Sequence, residues 1–330
     1  MKFLVYIGLL IFVCMVLLPL DVEALTISPV RLEITADPGQ TVTGKLLLLN
    51  EQNGTTTFYS SFENFEPSGD SGTPRFIGAE DGLATWIKTD GKITLESGTS
   101  TSVPFSITVP DNAEPGGYFA AIFFGSQPPA PAGGEVSIGG KIGVLVLLRV
   151  SGEVAEGGGL LEFATKEKNR FFSTLPISFI YRLNNTGGNR VVPQGEIKIK
   201  NTFQLISATL LANENEGSVL PGSIRKFEVV WGNKLPMIDN KEESDSGFFT
   251  VAGRQLKEFH FGWYAAKMSL VWGDTNQTAN ATYNFFVIPW QLLLIIFAIA
   301  IAVFIIGRQM LRKYNRLIIA QAMRNQPNNE

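Results

Sequence analysis

Between Leu25 and Asn284 several segments carry apolar residues at every second position, and others are short apolar runs. Val103-Pro104-Phe105-Ser106-Ile107-Thr108-Val109 alternates apolar and polar side chains, the pattern of a strand with one face buried and one solvated. Gly195-Glu196-Ile197-Lys198-Ile199-Lys200 repeats it, and Ile177, Phe179, Tyr181 and Leu183 line one face of another such strand. Lys45–Leu49, Tyr118–Phe124 and Ile142–Val150 are short apolar runs rich in β-branched and aromatic residues, suited to central strands. Asp37-Pro38-Gly39, Pro67-Ser68-Gly69-Asp70, Asp90-Gly91, Glu114-Pro115-Gly116-Gly117 and Pro221-Gly222 supply the fixed and positive φ angles of turns. No long amphipathic helical pattern separates the strands, which argues against a parallel α/β enzyme fold. The expected fold class is mainly β, built of antiparallel sandwiches.

The pattern breaks near the C-terminal end. Leu292–Ile306 is fifteen apolar residues in a row, twelve of them Leu, Ile, Phe or Val. At roughly −0.3 to −0.6 kcal/mol each, those twelve favour membrane insertion by about 4–7 kcal/mol. As a helix, the wider stretch Phe285–Ile306 reaches ~33 Å, against a hydrocarbon core of ~30 Å. A buried core helix is the alternative, but such helices are rarely apolar on every side. Residues 285–307 are therefore expected to form one transmembrane helix. Arg308, Arg312, Lys313 and Arg316 follow it, which puts the tail 308–330 in the cytoplasm and the preceding chain outside the cell membrane. Tyr283 and Trp290 stand at the expected outer end of the helix, and Tyr314 beyond the inner end. Leu311, Tyr314, Leu317 and Ile318 share a face flanked by Arg312, Lys313 and Arg316. That arrangement predicts a short amphipathic helix on the inner leaflet, or one that docks a partner.

At the other end, Met1-Lys2 precedes the apolar Phe3–Leu20, and Val22-Glu23-Ala24 offers a small-x-small site. Residues 1–24 read as a signal peptide cleaved after Ala24, with an uncleaved N-terminal anchor as the alternative. Cys14, the only cysteine, follows Phe12 and Val13 rather than the small residues of a lipoprotein signal. The ectodomain is thus left without disulfides and must be stabilised by apolar burial. Its length suggests two domains of ~130 residues. The boundary is expected within Gly152–Gly159, after a strand ending at Val150, giving sandwiches at 25–152 and 153–284. Gln127–Gly134 lies between two strong strands and reads as a long hairpin loop rather than a linker. The two halves share an order of strands and turns, a weak internal duplication.

Charge narrows the partners. The formal net charge of −3 divides into +4 after Gly307, −1 over residues 1–24 and −6 between them. A mildly acidic ectodomain without basic runs argues against a nucleic-acid ligand.

Certain segments resemble a known family. Ser28-Pro29-Val30-Arg31-Leu32-Glu33, Asp37-Pro38-Gly39-Gln40 and the run from Val109-Pro110-Asp111 through Gly116-Gly117-Tyr118 to Phe124 resemble the first domain of the bacterial WxL-interacting cell-surface proteins. Asn184-Asn185-Thr186-Gly187 and Val219-Leu220-Pro221-Gly222-Ser223 are similar to their second domain. The layout is similar too: a signal, two immunoglobulin-like domains, one C-terminal helix and a basic tail. The resemblance implies two tandem immunoglobulin-like antiparallel β-sandwiches plus one C-terminal transmembrane α-helix. It also implies surface anchoring and binding to a surface protein, cell-wall polymer or host matrix. The family offers no binding-residue motif that can be placed here. The first domain is also similar in outline to periplasmic pilus chaperones, a soluble class from which the membrane helix departs.

The residues hold little catalytic chemistry. His260 is the only histidine, so a Ser-His-Asp or Cys-His site would have to use it, and Glu258-Phe259-His260-Phe261 contains no nucleophile elbow. It is expected to be a surface or structural histidine. Zinc would need several His or Cys ligands. Asp239, Glu242, Glu243 and Asp245 form an acidic loop in which calcium is conceivable, but the spacing is not that of an EF-hand and Lys241 lies within it. No metal, cofactor or enzymatic activity is expected. Sequons begin at Asn53, Asn184, Asn276 and Asn280, mostly read as plain turn asparagines. The expected function is a membrane-anchored surface binding or adhesion protein that works through sheet edges, loops or strand addition. The loops Gln127–Gly134 and Asp239–Asp245 are its candidate contact regions. The alternatives are a chaperone-like assembly factor for surface filaments, or an accessory domain of a surface carbohydrate-active enzyme.

Overall fold

The computed structural model describes residues 25–128, 140–232 and 247–324, with side chains to residue 318. The signal segment 1–24, most of the Gln127–Gly134 loop and the Asp239–Asp245 loop lie outside the described residues. The chain divides into two compact units. The first runs to Gly157 and takes in Thr186–Arg190 and Leu220–Ser223. The second comprises Gly158–Asn185, Val191–Val219 and the chain from Ile224.

The first unit contains β1 (Leu25–Ser28), β2 (Arg31–Ala36), β3 (Thr41–Asn50), β4 (Thr56–Ser68), β5 (Thr73–Ile77), a helical turn α1 (Gly82–Trp86), β6 (Ile87–Thr89), β7 (Lys92–Leu95), β8 (Ser100–Thr108), β9 (Gly116–Gly125) and β10 (Lys141–Val150). One sheet has the order β1-β3-β8-β6 and the other β2-β10-β9-β4-β5, with β7 also on β4. The chain changes sheet at Ser28-Pro29, so β1 pairs antiparallel with β3 while β2 pairs parallel with β10. The alternation of Val103, Phe105 and Ile107 buries those side chains against Leu46, Leu48, Ile122, Phe124 and Val146. Gly44 faces Phe105 across the sheet, and a Cβ there would stand 2.4 Å from the ring, so only glycine lets the ring lie over β3. β9 and β10 pair antiparallel, from Gly125↔Lys141 to Gly116↔Val150.

The second unit contains β11 (Gly158–Thr165), β12 (Phe171–Phe172), β13 (Ile177–Asn185), β14 (Gln194–Asn201), β15 (Ile206–Leu211), β16 (Ser223–Trp231), helix α2 (Phe248–Lys257), β17 (Gly262–Trp272), β18 (Gln277–Val287) and helix α3 (Trp290–Arg324). Its sheets have the orders β11-β13-β16 and β12-β18-β17-β14-β15. The opening strands are split as in the first unit: β11 pairs antiparallel with β13, and β12 pairs parallel with β18. Phe179, Tyr181, Leu183, Ile197, Ile199, Met268, Leu270 and Phe285 form the core. The architecture is mainly β, two immunoglobulin-like sandwiches with one C-terminal apolar helix.

The helix differs from the expected 285–307 at both ends. Phe285 and Val287 belong to β18 and are 0% and 1% exposed, because strand alternation turns them into the core. The helix starts after Pro289, whose carbonyl accepts the Leu293 N–H at 3.0 Å. It then runs unbroken through Gly307 to Arg324, so the amphipathic stretch after Arg308 is the same helix rather than a separate one. Trp290–Ile318 is long and apolar enough to cross a membrane. Tyr283 lies on β18, where its hydroxyl donates toward the carbonyls of Lys168 and Asn169 at 3.0 and 3.1 Å; it fastens a turn within the second unit.

Candidate partner-binding groove

The two units close their flanks differently. In the first, α1 and β6 fill the space between the sheets. β6 pairs with β8 at Ile87↔Ile107, and Leu83, Ala84 and Ile87 are buried in the core. Buried Asn64 holds this plug. Its Nδ2 donates to the carbonyls of Gly78 at 3.1 Å and Asp81 at 2.8 Å, and its Oδ1 accepts the Ala84 N–H at 2.9 Å.

In the second unit the chain from β15 to β16 makes a compact turn instead. Asn213 Nδ2 donates to Pro193 O at 3.0 Å and Gly217 O at 2.9 Å, while its Oδ1 accepts the Gly217 N–H at 2.8 Å. Among the described residues no strand pairs with the outer edge of β15 or of β16. Between them lies a groove of about 370 Å³, bordered by Thr209–Ala212 on one side and Arg225–Val230 on the other. Phe227 is in its lining and stacks on Tyr181, with ring centroids 4.7 Å apart and planes 8° apart. The Tyr181 hydroxyl donates to Ala212 O at 3.1 Å, tying the end of β15 to the core. Burial pushes the Tyr181 phenol well above its ordinary pKa, and the positive charge of Arg225 opposes this only in part. Arg225 lies 5.3 Å from the Phe227 ring and donates to Ser218 O at 2.7 Å.

The two edges differ in chemistry. β16 carries Arg225, Lys226 and Glu228. β15 is Ile206-Ser207-Ala208-Thr209-Leu210-Leu211, with no charge and no proline, and Ile206 and Leu211 are 56% and 67% exposed. Soluble proteins usually guard a free edge with charge, proline or a bulge; of these β15 has only a register shift at Ser207, near its start. Ala208 and Leu210 pack toward the core. Because the Ala212 N–H bonds to Gly195 O at 3.0 Å, the period of two turns the Leu210 and Ala208 N–H groups toward β14. The N–H groups of Thr209 and Leu211 therefore point to the open edge.

His260 is not part of the groove. Its Nδ1 donates to Glu258 O at 3.1 Å, and its ring packs edge-on against Trp231 at 4.9 Å, a structural setting. Among the described residues no three His, Cys, Asp or Glu side chains gather as a metal site. Asn53 lies in a bend after β3 and Asn276 in the turn before β18, whereas Asn184 and Asn280 lie on strands β13 and β18. Sequence reasoning passed over β15, whose alternation is weak; the signal available was an apolar strand-length run without a charged or proline gatekeeper.

No family model matches the chain, and no curated relative does. Among solved structures it is similar to a chain of a chaperone–tip adhesin complex of CFA/I fimbriae biogenesis (11% identity over 78% of this chain and 98% of that one, TM-score 0.38). It is also similar to the class 5 fimbriae chaperone CfaA (11%, 79% and 99%, TM-score 0.36) and the E. coli chaperone DraB (11%, 80% and 97%, TM-score 0.33). At these TM-scores the likenesses carry no argument about function.

Proposed function

We propose that the chain is a membrane-anchored binding module whose second sandwich takes up an extended segment of a protein partner, by strand addition, between β15 and β16. The observation that carries this reading is β15 itself: among the described residues, an unpaired, uncharged edge beside a groove whose far side is another unpaired edge. An extended segment there would offer carbonyls to the Thr209 and Leu211 N–H groups and apolar side chains to Leu210 and Phe227. Such a site favours a peptide over a wall polymer, because its unmet groups are main-chain donors and acceptors at strand spacing. The resemblance to WxL-interacting surface proteins supports a protein partner outside the membrane. Holding the exposed strand of a filament subunit, the assembly-factor reading, uses the same groove. The anchor is the apolar part of α3, which exposes Phe297, Val303 and Phe304 by 64–69%; the same helix then carries Arg308, Arg312 and Lys313, so its C-terminal end faces the cytoplasm.

The test compares the full-length chain with a Thr209→Pro variant, each captured by a C-terminal tag from the envelope of its own cells. Proline removes only the outward N–H of an edge strand, a position that tolerates it. Loss of a co-captured protein, with unchanged circular dichroism, is the expected result. Equal capture removes the groove from the account.

A further inference from the structure

Resting on the anchored reading above, we propose that the end of the second sandwich from which α3 emerges lies flat against the outer leaflet, a lipid contact additional to the span. The five-stranded sheet ends there in an aromatic rim. Phe286 on β18 meets Trp263 of β17 at 5.2 Å and Phe171 of β12 at 6.3 Å. Trp263 and Phe171 are 55% and 69% exposed. Phe203, on the β14–β15 turn, is 81% exposed, and that turn is tied to the rim by the Trp263 N–H donating to Thr202 Oγ1 at 3.1 Å.

Helix α2 extends the rim. Its buried Ala252 and Gln255 face the sandwich, while Phe249 and Leu256, two turns apart on one side, are 79% and 68% exposed. A helix on a soluble surface turns its polar side outward; this one turns apolar groups outward. It is also fastened to the first turn of α3. The buried Gln255 side chain accepts the Leu292 N–H on Oε1 at 3.0 Å and donates from Nε2 to Ser173 O at 3.0 Å and to Gln291 Oε1. Leu292 is among the first donors of α3 that have no partner within the helix. Trp290, at the start of that turn, packs on Phe248 at 5.9 Å.

Depth follows from the covalent chain. Only Ile288 and Pro289 separate β18 from α3. At ~3.3 Å per residue Phe286 stands within ~13 Å of Trp290, so rim and helix start share the level of the headgroups. Tryptophan and other aromatic rings favour that level. A second copy could also cover apolar groups, but the bilayer is continuous with α3 and meets this face at every copy number.

The chain has five tryptophans, of which Trp231 and Trp272 are buried. Trp290 reports anchoring and Trp263 reports docking. The full chain is reconstituted in phosphatidylcholine vesicles containing lipid brominated near the headgroup, as Trp290→Phe, Trp263→Phe and the double variant. Docking predicts that the emission of Trp290→Phe is quenched by the brominated lipid, beyond the quenching of the double variant. Quenching of Trp263→Phe alone means a chain that is anchored but not docked, and overturns the proposal. Failure of every variant to float with vesicles overturns the anchored reading itself. Shielding of Trp263 from iodide that grows with protein density, without bromine quenching, assigns the face to a second copy and also overturns the proposal. An environment-sensitive dye at Phe249→Cys gives an independent reading: a blue shift on reconstitution supports docking, and an emission unchanged from water refutes it.

Discussion

The first sandwich is plugged where the second is open. Both units split their opening strand between two sheets and bring its second half parallel to the unit's last strand, β2 on β10 and β12 on β18. In the first, α1 and β6 then occupy the flank and Leu83 and Ile87 complete the core. In the second, the Asn213 turn replaces them, and two edges are left facing a groove. The difference teaches that one strand plan can yield a closed flank or an open one. The deciding factor is whether the chain itself supplies the flanking piece.

Breaking the plug should have the largest effect. Leu83→Ala removes a side chain that is 1% exposed and should cost about 2–5 kcal/mol. Urea unfolding of the full chain in detergent, followed through probes in the first unit, measures it. Asn64→Ala comes next. It strips the hydrogen bond from the Ala84 N–H and leaves the carbonyls of Gly78 and Asp81 short, at about 1–3 kcal/mol. The part-buried Asn213 should cost less when changed to Ala; an equal cost would erase the contrast between the two flanks.

In the second unit, Tyr181→Phe should cost about 1 kcal/mol near neutral pH, since it leaves Ala212 O without its donor. The same phenol sets an alkaline dependence. Its folded pKa is raised above the unfolded value, so its share of stability is full below pH ~10 and is lost as pH rises from there toward the folded value. Tyr181→Phe should flatten that alkaline fall, which denaturation series at rising pH would show; an unchanged slope would place the titration elsewhere. The smallest stability effect is expected for Thr209→Pro, because its N–H makes no ladder bond, although that variant should lose the partner.

Much of the sandwich architecture can be read from alternation. Val103, Phe105 and Ile107 are buried at every second position of β8, and Ile177, Phe179, Tyr181 and Leu183 at every second position of β13. The helix was legible as an apolar block, but not its start. Phe285 and Val287 look alike in a strand core and in a membrane, and only pairing with β17 distinguishes the two. α1 and α2 are too short to show a sustained helical period. Nothing in the sequence marks Phe171, Phe203 and Trp263 as rim residues, because a sequence does not tell the end of a sheet from its face. The groove is a property of a missing neighbour, and a missing strand leaves no pattern in the chain that lacks it.

The most direct test of strand addition is amide hydrogen exchange at Thr209 and Leu211, in the full chain alone and in complex with the captured partner. The account predicts fast exchange of both amides in the free chain and strong protection in the complex. Protection confined to other elements, with these two amides still exchanging freely, would contradict it.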